Sequence, residues 1–87
     1  MKKIRLIIDS KCNHCRYLVE QLKKTGLIQY IDEIIEFKNY DRIDLVLAVP
    51  SVEISDDKSR TIDVLSGDLR GLLKITQYIY IYKIKNK

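Results

Sequence analysis

Two cysteines are too few for a disulfide-stapled secreted scaffold, which usually carries four or more in a chain of this size. Both lie in one tetrapeptide, Cys12-Asn13-His14-Cys15. A disulfide closing so small a loop removes little entropy from the unfolded chain, so stabilisation is a weak reason for the pair. Long apolar runs are missing too. The longest is Leu45 to Pro50, far short of the roughly 20 residues a membrane-spanning helix needs. Met1-Lys2-Lys3 leads into a short apolar stretch that Arg5 interrupts; this is not a secretory signal, and a cytoplasmic location is expected. Internal repeats, low-complexity segments and linkers are likewise missing.

The chain is also small. A chain of 87 residues buries only about 60–65% of its unfolded surface, which excludes a second domain or a large enzyme cleft, so one domain over 1–87 is expected. Its hydrophobic content of 46% excludes a disordered chain. The net charge of +4 comes without any basic run longer than two residues and without a helix-turn-helix or zinc pattern. It reads as solvation, and neither nucleic acid nor membrane is expected as a partner.

What is present has an alternating layout. Lys3 to Asp9 is β-branched and apolar and ends in Asp9-Ser10, a strand followed by a turn. Leu18, Val19 and Leu22 then fall at helical spacing, with Gly26 as the stop and Ser10 or Asn13 as the N-cap. Ile31 to Phe37 favours a strand by its β-branched content. Lys38 to Asp44 is polar, a loop or a single helical turn. Val49 to Ile54 and Arg60 to Leu65 alternate apolar and polar around the turn residues Ser55 to Ser59, which predicts an antiparallel hairpin. Leu69, Leu72, Leu73, Thr76 and Ile79 define a last helical face, continued to about Tyr80. The Tyr and Ile alternation from Gln77 to Lys85 competes with it, because local propensity there favours a strand. As an edge strand the tail would open a route to a dimer; otherwise a monomer is expected.

The pair Cys12 and Cys15 is compatible with a redox dithiol, half of a zinc or iron site, or two incidental thiols. Strand-turn-helix context favours the dithiol. A thiolate is the attacking species, and a helix N-terminus supplies unpaired N–H groups and a positive dipole end that lower a thiol pKa. Cys12 would then be the nucleophile, and Cys15, one turn on, the resolving thiol. Lys11 and His14 add positive potential, and Asn13 completes the set of tuning residues. A zinc site normally takes four protein ligands, and a His between the two cysteines points away from a metal they would share. No metal is expected, and the Cys12–Cys15 disulfide serves as the redox group; the alternatives are an iron–sulfur cluster bridged between two chains by these thiols and a non-enzymatic binding module with idle thiols.

These residues together resemble the thioredoxin superfamily, most nearly its glutaredoxin-like members. The resemblance rests on a strand, Cys12-Asn13-His14-Cys15 opening a helix, a strand, Ala48-Val49-Pro50 leading into a hairpin, and Gly67 before a final helix. It implies an α/β thioredoxin-like fold with a four-stranded mixed sheet flanked by helices, and a cis Pro50 beside the cysteines. It implies substrate contacts at Val49, Pro50, Gly67 and Asp68, protein or low-molecular-weight disulfides as substrates, and a recycling reductase. The span from Lys38 to Val49 is short for the family's second helix, so a shortened second helix is expected. Other departures are specific. Asp9 stands where glutaredoxins often carry Lys, and Ser66-Gly67-Asp68 replaces their Gly-Gly-Asp, which argues against a glutathione site. Leu6 stands where thioredoxins keep a buried acid, so any proton relay runs differently.

Overall fold

Lys3 to Ile8 forms the first strand, β1 (Lys3–Ile8), in a computed structural model that describes residues 2–40, 48–58, 60–66 and 73–85. It is flanked by β2 (Glu33–Glu36), which is parallel to it, and by β3 (Ser51–Ser55), which is antiparallel. The strand β4 (Thr61–Ser66) pairs antiparallel with β3, giving a mixed four-stranded sheet in the order β2-β1-β3-β4. Helix α1 (Asn13–Thr25) joins β1 to β2, and α2 (Leu73–Ile79) follows β4.

Alternation along the two central strands sorts their side chains. Ile4, Leu6, Val52 and Ile54 face one way and meet Leu18 and Leu22 of α1 and Ile75 and Ile79 of α2. Each of these buried aliphatic side chains is worth roughly 1.5–3 kcal/mol relative to exposure. Ile7 faces the other way and packs with Tyr40, Ile35, Phe37 and Val49. Glu53 also lies on this second face, fully buried in the middle of β3. Its carboxylate accepts from Arg5 Nε at 2.6 Å, from Thr61 Oγ1 at 2.9 Å and from the Tyr40 hydroxyl. A buried charge is tolerable only when paired and hydrogen-bonded in this way.

Local chemistry sets the ends of the elements. Gly26 adopts φ +79, a left-handed conformation, and its N–H returns to the Lys23 carbonyl at 3.2 Å. Lys23 and Lys24 sit in the same last turn, at the negative end of the helix dipole. In the hairpin, Asp56 Oδ1 accepts from the amides of Lys58 (3.0 Å) and Arg60 (2.8 Å), and Oδ2 meets Arg60 Nε at 2.8 Å.

Several expectations need correction. The α1 N-cap is Cys12 rather than Ser10 or Asn13, because its sulfur accepts the Cys15 amide. The second strand starts at Glu33, not Ile31. Leu27–Tyr30 forms a 3₁₀ turn, and both the amide and the carboxylate of Asp32 are committed to Ile4, at 2.8 and 2.7 Å. Phe37–Asn39 is a short 3₁₀ turn, while residues 41–47, which the shortened second helix concerns, lie outside the described residues.

The tail is helical to Ile84, with a π turn over Tyr80–Ile84, so strand propensity is overridden. Tyr78 and Tyr82, four apart, share Asp63 Oδ2 at 3.0 and 3.4 Å and pack edge to face, whereas Tyr80 is exposed. Leu73 and Thr76, expected in the core, point outward, and Ile75 takes their place beside Ile79. Leu69 and Leu72 lie outside the described residues.

Two substitutions test this account. Glu53→Ala leaves Arg5 without its buried partner and is expected to lower unfolding free energy by about 3 kcal/mol in urea titration. Gly26→Ala meets no neighbouring atom within 4 Å, so its expected loss of about 1 kcal/mol arises from the left-handed backbone alone.

Candidate active site

The polypeptide leaves the end of β1 and must turn before α1 can start. Asp9 provides the turn: its carboxylate accepts the Lys11 amide at 3.0 Å and its carbonyl accepts the Cys12 amide at 2.9 Å. Two side chains fasten the turn from outside. Arg16 Nε donates to the Ser10 carbonyl at 3.1 Å, and the Ser10 amide donates to Glu36 Oε2 of β2 at 3.2 Å. Cys12 is thereby delivered in an extended conformation, φ −90 and ψ 117, as the cap of α1. Its Sγ accepts the Cys15 N–H at 3.3 Å.

Both cysteines are free thiols, in unlike surroundings. Cys12 is part-exposed, and Cys15 is completely buried. The Cys12 pKa lies below the ordinary thiol value, chiefly because the Cys15 thiol donates to its sulfur; burial opposes this, and the amides of Cys15 and His14 assist. Cys15 is pushed up to about 11, first by burial and next by its hydrogen bond to Cys12. The Asp9 carboxylate raises both. At neutral pH the arrangement therefore presents one thiolate-prone sulfur at the surface and holds a protonated one behind it.

The other predicted residues are placed as follows. Lys11, Asn13 and His14 are exposed around Cys12. The causes that lower Cys12 are short-range hydrogen bonds, from the Cys15 thiol first, and the expected contribution of the Lys11 and His14 charges is not among them. The Val49–Pro50 peptide is cis. Pro50 is buried, and Ser51 Oγ donates to the Ala48 carbonyl behind it. Since Ser51 pairs with Ile7, Val49 and Pro50 fall at the end of the sheet from which the turn to Cys12 departs. Gly67 and Asp68 lie outside the described residues.

Some contributors carry no motif. Asp9 and Glu36 build the turn, and Glu36 also lines, with Ile8, Val19 and Glu20, a crevice of about 380 Å³ that reaches Cys15. Asp9 was legible only as a turn former. Glu36 had no signal, since its role depends on β2 lying beside β1. The position under the motif that thioredoxins fill with an acid is Leu6, buried in the apolar cluster, whereas the buried acid Glu53 lies on the opposite sheet face.

No protein-family model matches the chain, and no curated protein matches it in sequence. Solved structures do match it. Thioredoxin from Fasciola hepatica superposes with a TM-score of 0.72 at 16% identity, over 94% of this chain and 81% of that one. Thioredoxin 1 of Thermosipho africanus TCF52B gives 0.68 at 26% identity, over 98% and 99%. Thioredoxin f2 of Chlamydomonas reinhardtii gives 0.67 at 12% identity, over 94% and 79%.

The thiol electrostatics are testable by alkylation. Iodoacetamide is expected to label Cys12 before Cys15, with a rate midpoint below that of an ordinary thiol. Cys15→Ala removes the largest lowering cause and should move that midpoint up, while Asp9→Asn removes a raising charge and should move it down. Peptide mass spectrometry against pH reads both.

Proposed function

We infer, from the thioredoxin-superfamily fold of this chain and the placement of its cysteine pair, that it is a thiol–disulfide oxidoreductase. The observation that carries this reading is the asymmetry at the start of α1. A part-exposed Cys12 with a lowered pKa caps the helix, and a buried Cys15 raised to about 11 lies one turn behind it.

The chemistry proceeds by two exchanges. The Cys12 thiolate attacks one sulfur of a substrate disulfide; the substrate S–S bond breaks, and the displaced thiolate takes a proton from solvent. Cys12 is then bonded to substrate and no longer anionic. Two of the causes that hold the Cys15 thiol up, its hydrogen bond to Cys12 and the negative charge on that sulfur, are lost at this point. Cys15 therefore loses its proton more readily in the intermediate than in the resting enzyme. It attacks Cys12 Sγ, the mixed disulfide breaks, and the second substrate thiol leaves. The substrate has gained two electrons and the protein holds a Cys12–Cys15 disulfide, which a reductase must reopen.

Substrate is held by main-chain hydrogen bonding at Val49 next to cis-Pro50, a mode that tolerates many sequences. Gly67 and Asp68 are assigned to the same surface, and Lys11, Asn13 and His14 form its rim. The redox group is the dithiol itself. In this reading the protein works in the cytoplasm and exchanges electrons with protein or low-molecular-weight disulfides.

Reduction of insulin by the purified protein tests this. Cys12→Ser is expected to abolish turnover, and Cys15→Ser to accumulate a mixed disulfide visible by mass spectrometry. Equal activity in all three proteins would overturn the assignment. The reduction potential then fixes the direction, between about −270 mV for a reductant and about −120 mV for a strong oxidant.

A further inference from the structure

Residues 73–87 contain four of the 16 basic residues, Lys74, Lys83, Lys85 and Lys87, and no acid. The same segment exposes apolar side chains. Leu73 is 71% exposed, Tyr80 54%, Ile81 42% and Ile84 41%. Among the described residues the other large exposed hydrophobics, Tyr17, Ile34 and Ile62, are scattered over α1, β2 and β4. Single exposed apolar residues need no explanation, but a contiguous stripe does.

Helical spacing produces the stripe. Ile75 and Ile79 point into the core, and Tyr78 and Tyr82 turn to Asp63. Leu73, Tyr80 and Ile84, at intervals of a whole number of turns, occupy the opposite side. Among the described residues, the shallow hollow of about 430 Å³ between Leu73, Thr76, Gln77, Tyr80 and Ile81 is walled by this helical segment alone. A peptide groove needs two walls; a single ridge suits a flat surface. Lys74 and Lys85 are exposed near the two ends of the stripe. Two copies meeting through this face would bring like charges together, which disfavours a second copy of the chain as its cover.

We propose that α2 and the turn following it dock the protein on an anionic lipid surface, with the apolar stripe at the headgroup boundary and Lys74 and Lys85 on the lipid phosphates and carboxylates. A helix with an apolar stripe flanked by lysines lies in an interface in this manner, and Tyr is well suited to that depth. Among the described residues no helix is long and apolar enough to cross a membrane, and surface docking requires none. The proposal departs from the sequence-based expectation of no membrane partner, in which the positive charge reads as solvation.

Docking leaves the thiols open. Lys83 Nζ meets Asp32 Oδ2 at 2.6 Å, and the same oxygen accepts the Ile4 amide near the start of β1, whereas Cys12 follows the end of that strand. The end of the docking helix and the cysteines therefore lie toward opposite ends of the sheet.

Vesicle flotation tests the proposal independently of any redox activity, using vesicles of phosphatidylcholine alone and of phosphatidylcholine mixed with phosphatidylserine. Binding is expected to the mixed vesicles only, to weaken with added salt, and to fall about fivefold for each of Lys74→Gln and Lys85→Gln. The double variant Leu73→Ser/Tyr80→Ser should lose binding while melting as the parent does, since both side chains are exposed. Equal or absent binding to the two kinds of vesicle, or unchanged binding by the double variant, overturns it. So does binding to polyglutamate without binding to vesicles, which assigns the stripe to an acidic protein, or a dimer in sedimentation that the double variant abolishes.

Discussion

The antiparallel pairing of β1 with β3 is buried on both faces, and most of the molecule is arranged by it. In the register that sets Ile4 opposite Ile54 and Leu6 opposite Val52, four aliphatic side chains form the floor on which α1 and α2 rest. The same register sets Arg5 opposite Glu53, so this carboxylate, buried at the centre of the sheet, finds its counter-ion across the strand pair. It also sets Ile7 opposite Ser51, which brings the cis Val49–Pro50 peptide to the end of the sheet where α1 begins. A slip of one residue would exchange the two faces, burying Arg5 under the helices and separating Glu53 from it. Core, ion pair and site are thus consequences of one register.

The cysteine pair derives its chemistry from position rather than from composition. Two identical thiols three residues apart acquire opposite shifts because one caps the helix and the other is buried beneath it. The hydrogen bond between them lowers one and raises the other, since it stabilises charge on the acceptor sulfur and neutrality on the donor. Neither side chain between the two cysteines is needed for this difference. Asn13 and His14 lie outside, exposed to solvent.

The two helices share a sheet face but serve different purposes. α1 offers its N-terminus to the thiols, and its length and stop are set by Gly26. α2 gives one side to the core through Ile75 and Ile79 and leaves the other side apolar and basic.

Much of this was legible before folding, and the reason is local. The β-branched run of β1, the turn at Asp9-Ser10, the stop at Gly26, the hairpin around Asp56 and the paired cysteines depend on neighbours within a few residues, so spacing alone places them. The C-terminal tail misled because its Tyr and Ile alternation satisfies a strand locally. Only contact with Asp63 of β4, far away in sequence, rewards Tyr78 and Tyr82 for lying one helical turn apart. Leu73 misled likewise, since which side of α2 faces inward is settled by Leu18, Leu22 and the sheet rather than by the helix itself. The cap role of Cys12, the hold of Glu36 on Ser10 and the burial of Glu53 are contacts between segments that only the sheet brings together, or sulfur geometry that no residue pattern encodes. The residue types thus single out the cysteine pair, and the packing makes its two sulfurs unlike through burial and the direction of one hydrogen bond.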